Sequence, residues 1–111
     1  MHIVRTLALA TLAAASAAAS HGAAAQTDVN LARNLAATCA NCHGTNGNAV
    51  GKDVKPLAGV PAANITGLMA AYKAGAVPGA TIMHQIAKGY TDDQIKLIAE
   101  YLAAQKPAAK K

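Results

Sequence analysis

Residues 39–43 read Cys39-Ala40-Asn41-Cys42-His43, and the rest of the chain is understood outward from this stretch. Cys-x-x-Cys-His is the attachment signature of c-type haem. Two thiols add across the two vinyl groups of a porphyrin and form thioethers. Two intervening residues in helical backbone match the vinyl separation, and His43 then turns its imidazole to the iron. These are the only two Cys of the chain. A structural zinc site needs four ligands, and here only the distant His84 would complete the set. A thioredoxin-like pair needs a βαβ context, and no stretch alternates with period two for long enough to make a strand. A plain disulfide between Cys39 and Cys42 would leave His43 unexplained.

The N-terminal segment agrees with this chemistry. Residues 1–25 carry Arg5, an apolar run from Thr6 to Ala19, and small residues ending in Ala23-Ala24-Ala25. This is the plan of a secretory signal peptide. The run is too short for a membrane span, which needs roughly 20 apolar residues. Cleavage is expected after Ala25, with Ala19 the second choice and an uncleaved anchor the other alternative. Export to the periplasm places the two Cys in an oxidising compartment, where free thiols do not persist.

Removal of 25 residues from 111 leaves one small domain of formal charge +4. That length excludes an enzyme with separate cofactor and substrate lobes. Such a chain buries little surface and often needs a metal or cofactor. The composition sharpens the point: 30 of the residues are Ala, and three Tyr are the only aromatics. A porphyrin would supply the missing aromatic mass. The charge is modest, with no basic cluster beyond Lys110-Lys111, so nucleic acid is not an expected partner. No stable membrane span is expected once the signal is removed.

The layout is all-α. Asp28 is placed to cap a first helix with Leu31, Leu35 and Cys39 on one face. Residues 44–61 are rich in Gly, Asn and Pro and read as a long irregular loop, which in a small domain tends to be functional. A second helix fits about 62–74, with Ile65, Leu68, Met69 and Tyr72 at helical spacing and Gly75 as the stop. Val77-Pro78-Gly79 reads as a turn, and a short helical piece fits 82–88. The last helix opens with a capping box, Thr91-Asp92-Asp93-Gln94, and a Tyr90–Ile95 staple. Its stripe is Ile95, Leu97, Ile98, Tyr101 and Leu102, and it ends at Lys106-Pro107. Residues 107–111 are expected to form a flexible basic tail.

An electron-carrying haem iron wants a second axial ligand, and a thioether opposite His raises the potential. Met83, forty residues after His43, is one candidate. Met69 sits in an apolar stripe where Met is more often filler. His84 would give bis-His ligation, and an open site is the remaining alternative. Leu57, Val60, Ile65, Leu68, Tyr72, Ile86, Ile98 and Leu102 are candidates for the dry wall around the haem, with Leu57 and Tyr72 singled out for haem packing.

Together, Cys39–His43, the Gly/Pro-rich loop, Met83 and the C-terminal helix resemble a class I mono-haem cytochrome c of bacterial type, over essentially all of 28–106. A narrower likeness lies in Cys39-Ala40-Asn41-Cys42-His43-Gly44-Thr45-Asn46-Gly47-Asn48 and in Ala80-Thr81-Ile82-Met83-His84-Gln85-Ile86-Ala87-Lys88-Gly89-Tyr90-Thr91. These strings are similar to the cytochrome subunit of flavocytochrome c sulfide dehydrogenase, in which a haem subunit takes electrons from a separate FAD-bearing subunit that oxidises sulfide. The resemblance implies about four short helices and long loops wrapped around one covalent haem c, with the domain over 26–106. It implies thioether bonds at Cys39 and Cys42 and axial bonds from His43 and Met83. It also implies that a carbonyl orients His43. Family members often have Pro-x-Leu-Ala-Gly, whereas this chain reads Lys55-Pro56-Leu57-Ala58-Gly59, so the carbonyl is that of Lys55 or Pro56. In the family a Gly often lets the first helix cross the last closely; here Ala32 takes that position, opposite Tyr101.

The expected activity is periplasmic electron transfer, without bond chemistry by the protein itself. The partner implied is the FAD-containing flavoprotein subunit, with a downstream electron acceptor. The alternative is a free periplasmic shuttle between respiratory complexes, and a weaker one is an open-site enzyme or gas sensor. Lys52, Lys55, Lys73 and Lys88 come from segments that surround the haem in such folds. They form either a steering ring for an acidic partner or a merely solvated set.

Overall fold

The computed structural model describes residues 30–109, and all regular structure among them is helical. Five helices follow in order: α1 (Leu31–Ala37), α2 (Ala40–His43), α3 (Ala62–Lys73), α4 (Met83–Ile86) and α5 (Asp92–Ala103). Single 3-10 turns occupy Thr45–Gly47 and Ala87–Gly89. The expected signal segment, and Asp28 as a cap, lie outside the described residues. Asn30 occupies the N-cap position of α1 and makes no side-chain capping bond there.

Local chemistry accounts for the two long helices. At α5 the Gln94 amide donates to Thr91 Oγ1 at 3.2 Å, and the Thr91 amide donates to Gln94 Oε1 at 2.9 Å. This is the anticipated capping box, with Asp92 and Asp93 in the first turn, where the helix dipole favours acids. At the end of α3, Gly75 adopts φ 68°. Its amide reaches Tyr72 O at 3.0 Å and the Ala76 amide reaches Ala71 O at 2.9 Å. The two bonds make a Schellman stop that satisfies otherwise orphaned carbonyls. The piece expected over 82–88 divides into α4 and the 3-10 turn after it.

α5 is the central element, packing on both α1 and α3. The core consists of Ala36, Ile65, Met69, Ala87, Ile95, Ile98, Ala99 and Leu102, with Ala58 also buried. Ala87 and Ala99 are completely buried, and Leu102 is the one large side chain left with under 2% exposure. The small residue of α1 inside this core is Ala36, whereas Ala32 stays half-buried. Helices approach closely here because small side chains line the contact.

The loop between α2 and α3 is irregular but pinned. Gly47 O accepts from the amides of Leu57 and Ala58, and Gly59 N donates to Leu102 O at 2.9 Å. The left-handed Asn46 (φ 55°) accepts a 2.8 Å bond from the Tyr101 hydroxyl. The chain is held at Lys106 and Ala108, on either side of the start of the expected free tail. Asn48 Nδ2 donates to Lys106 O, and the Ala108 amide donates to Asn48 Oδ1 at 2.6 Å. The sequence does not show this tether because its partners lie 58 and 60 residues apart.

Candidate functional site

Cys39 caps α2 in helical conformation, so Cys39, Cys42 and His43 share one short helical turn. Cys39 and Cys42 are not joined in a disulfide; Cys39 is half-buried and Cys42 exposed. Burial pushes the Cys39 thiol above its ordinary range, a hydrogen bond from the Thr38 side chain pulls it partly back, and the neighbouring Cys42 pushes it up. Gly44 ends the turn with φ 77° and ψ 162°.

His43 Nδ1 lies 2.8 Å from the carbonyl oxygen of Lys55. A carbonyl only accepts, so Nδ1 carries the proton and the Nε2 lone pair is left for a metal. Of the two carbonyls considered, it is that of Lys55 which meets the ring. The loop geometry explains this: Leu57 and Ala58 are bonded to Gly47 O, which draws the preceding residues back towards α2.

Met83 opens α4 and is half-buried. Cys39, Leu57, Val60, Tyr72 and Met83 all pack against the one core. Met69 is buried at 8% within that core, as a filler would be. His84 is half-buried, and its Nδ1 is buried without a hydrogen bond. Among the wall candidates, Ile65, Ile98 and Leu102 are spent on the core. Leu68 and Ile86 instead remain 49% and 37% exposed, together with Ile82 at 55%.

The residues fit a haem on three counts. The Cys and His share one turn, and a fixed carbonyl leaves the His nitrogen free. The core is thin, with four Ala among its nine buried hydrophobics. Large apolar side chains on α3 and α4, and on the residue preceding α4, stand unburied, which a porphyrin would cover. No group of three or more His, Cys, Asp or Glu among the described residues is placed to hold a metal ion, so zinc has no ligand set there.

A family model described as cytochrome c matches residues 29–106. The chain belongs to the cytochrome c family. A covalent haem c is therefore its cofactor, and proteins of this family are typically electron carriers. This cytochrome is 39% identical over 67 residues to the cytochrome subunit of sulfide dehydrogenase of Chlorobaculum tepidum, covering 60% of this chain and 59% of that protein. It is 38% identical over 69 residues to the thiosulfate dehydrogenase electron acceptor of Thiomonas intermedia, covering 60% of this chain and 32% of that protein. The chain thus spans less than two thirds of either relative.

Three lysines of the cytochrome, Lys52, Lys55 and Lys88, are exposed. Lys73 is not free to join them, because its Nζ binds Asp92 Oδ1 at 2.7 Å and Tyr90 O at 2.9 Å. Tyr90, expected as half of the staple, also reaches Thr38 with its hydroxyl. No local pattern announces these contacts, which join residues 17 to 52 apart. A small cavity of about 150 Å³ beside α1, lined by Arg33, Ala36, Ala37, Ala40, Thr45, Asn46 and Tyr101, contains none of the haem-site residues. Among the described residues, no helix is long and apolar enough to cross a membrane.

Proposed function

We propose that this cytochrome carries single electrons through a haem attached at Cys39 and Cys42, with His43 and Met83 as axial ligands. The observation that supports His43 is its bond to Lys55, which fixes the ring tautomer and leaves Nε2 for the iron; Met83 is offered on the family resemblance and its half-buried place at the head of α4. Haem c, when bound, supplies a one-electron iron couple whose potential a thioether ligand raises. The chain's own part is to orient His43, to hold Met83, and to exclude water with Leu57, Tyr72 and the apolar residues of α3 and α4. The oxidised holoprotein should show the red-end absorption band of thioether ligation. Its loss in Met83→Ala supports the ligand, and its persistence there overturns it.

The finer reading is that of a haem subunit, receiving electrons from an FAD-containing sulfide dehydrogenase subunit and passing them to a downstream acceptor. The likeness to the Chlorobaculum tepidum protein supports it. Residues 1–25 would direct export to the periplasm and be removed there, leaving 26–106 as the working domain with 107–111 as its tail. The free periplasmic carrier is the second reading, favoured by the likeness to an electron acceptor of another dehydrogenase. Purification from the native source separates them. Co-elution with a yellow FAD protein supports the subunit, and a monomer reduced by several donors but bound to none supports the carrier.

A further inference from the structure

Tyr90 joins three segments that are far apart in sequence. Thr38 Oγ1 lies 2.8 Å from Leu35 O, to which it can donate. It also meets the Tyr90 hydroxyl at 2.5 Å, a hydrogen bond in which either oxygen can donate. Thr38 immediately precedes Cys39, so this bond ties Tyr90 to the start of the attachment turn. On its other side, the Tyr90 carbonyl accepts from Lys73 Nζ at 2.9 Å, and the same ammonium grips Asp92 at 2.7 Å. Lys73 follows Tyr72 at the end of α3. The Tyr90 amide reaches back to Ala87 O, at the head of the 3-10 turn that continues α4. From Met83 to Gly89 the chain is one unbroken run of helical turns, and Tyr90 follows it directly in extended conformation. Tyr90 thus anchors the C-terminal end of the segment that Met83 opens.

We propose that Tyr90 is a positioning residue, clamped by Thr38 and Lys73, that keeps the Met83 arm closed over the haem face. This rests on Met83 being the axial ligand. The clamp touches neither iron nor ligand, and it acts on how often Met83 leaves. An external ligand that competes with Met83 reads that population, because its apparent affinity scales with the fraction of protein in the open state.

The experiment is imidazole titration of the oxidised holoprotein, followed by its absorption spectrum, beside a denaturant melt. Tyr90→Phe and Lys73→Met should each tighten imidazole binding about fivefold, the factor carried by one hydrogen bond. Thr38→Ser, which keeps the hydroxyl, should match the parent, whereas Thr38→Val should behave as Tyr90→Phe. In a Met83→Ala background, where the arm has no ligand to lose, Tyr90→Phe should change imidazole affinity no further. Lower stability in the denaturant melt with unchanged imidazole affinity, in Tyr90→Phe and Thr38→Val alike, would overturn the clamp and leave the ligand assignment standing. An effect that persists in the Met83→Ala background would overturn it too. If Met83→Ala itself keeps the red band and the parent's imidazole affinity, the ligand assignment falls and the clamp with it. Should Tyr90→Phe fail to take up haem, Lys73→Met and Thr38→Val decide the matter.

Discussion

Gly44 stands at the point where α2 must stop for His43 to face Lys55. Its φ of 77° lies where side chains are rarely found, and a Cβ there would sit 2.0 Å from Asn48 O. Both the conformation and the contact are backbone properties, so no rotamer can relieve them. Gly44→Ala should therefore cost at least about 2 kcal/mol, read as a lowered denaturation midpoint of the holoprotein. A parent-like midpoint would show that the turn relaxes freely. The His43 partner illustrates what single residues reveal in advance. The motif made a carbonyl partner expected, but the choice of Lys55 over Pro56 depended on bonds from Leu57 and Ala58 to Gly47. Those are set by the folded loop rather than by any residue type.

Among the elements, α5 was the most legible. Its cap, its acidic first turn and its apolar stripe are all local patterns, and each is present in the structure. Thr91→Ala removes one side of the capping box. It should cost about 1 kcal/mol, lowering the thermal midpoint by about 4–8 °C for a domain of this size, measured by circular dichroism of the holoprotein. α4 was less legible. Its four residues and the turn that follows carry a helical pattern too short to show where one geometry gives way to the other. The contacts that brace it, Tyr90 to Thr38 and to Lys73, cross the whole domain. Lys73 shows the same lesson in reverse. Its charge suggested a solvent-facing or docking role, yet it is spent joining α3 to the start of α5. Only the fold brings Asp92 to it.

For the whole molecule, the question is what replaces a core of ordinary size. Four of the nine buried hydrophobics are Ala, and Leu68, Ile82 and Ile86 remain open. Small domains with so little buried side-chain area sit near the limit of independent stability, and a tethered haem that is packed and ligated only in the folded state adds what is lacking. Production of Cys39→Ser/Cys42→Ser without attached haem should give a chain that melts without a cooperative transition, whereas the holoprotein melts cooperatively. A sharp calorimetric transition in the haem-free variant would refute this.

The bonds that close the attachment loop also set an order in time. Asn46 is fastened by Tyr101, Asn48 by Lys106 and Ala108, and Gly59 by Leu102. A chain made from its N-terminus offers Cys39, Cys42 and His43 before any of these latches exists. The thiols can therefore meet a porphyrin while the loop is still unfastened. The arrival of the last helix then seals the loop behind it, so the same topology that protects the finished centre leaves it accessible during assembly.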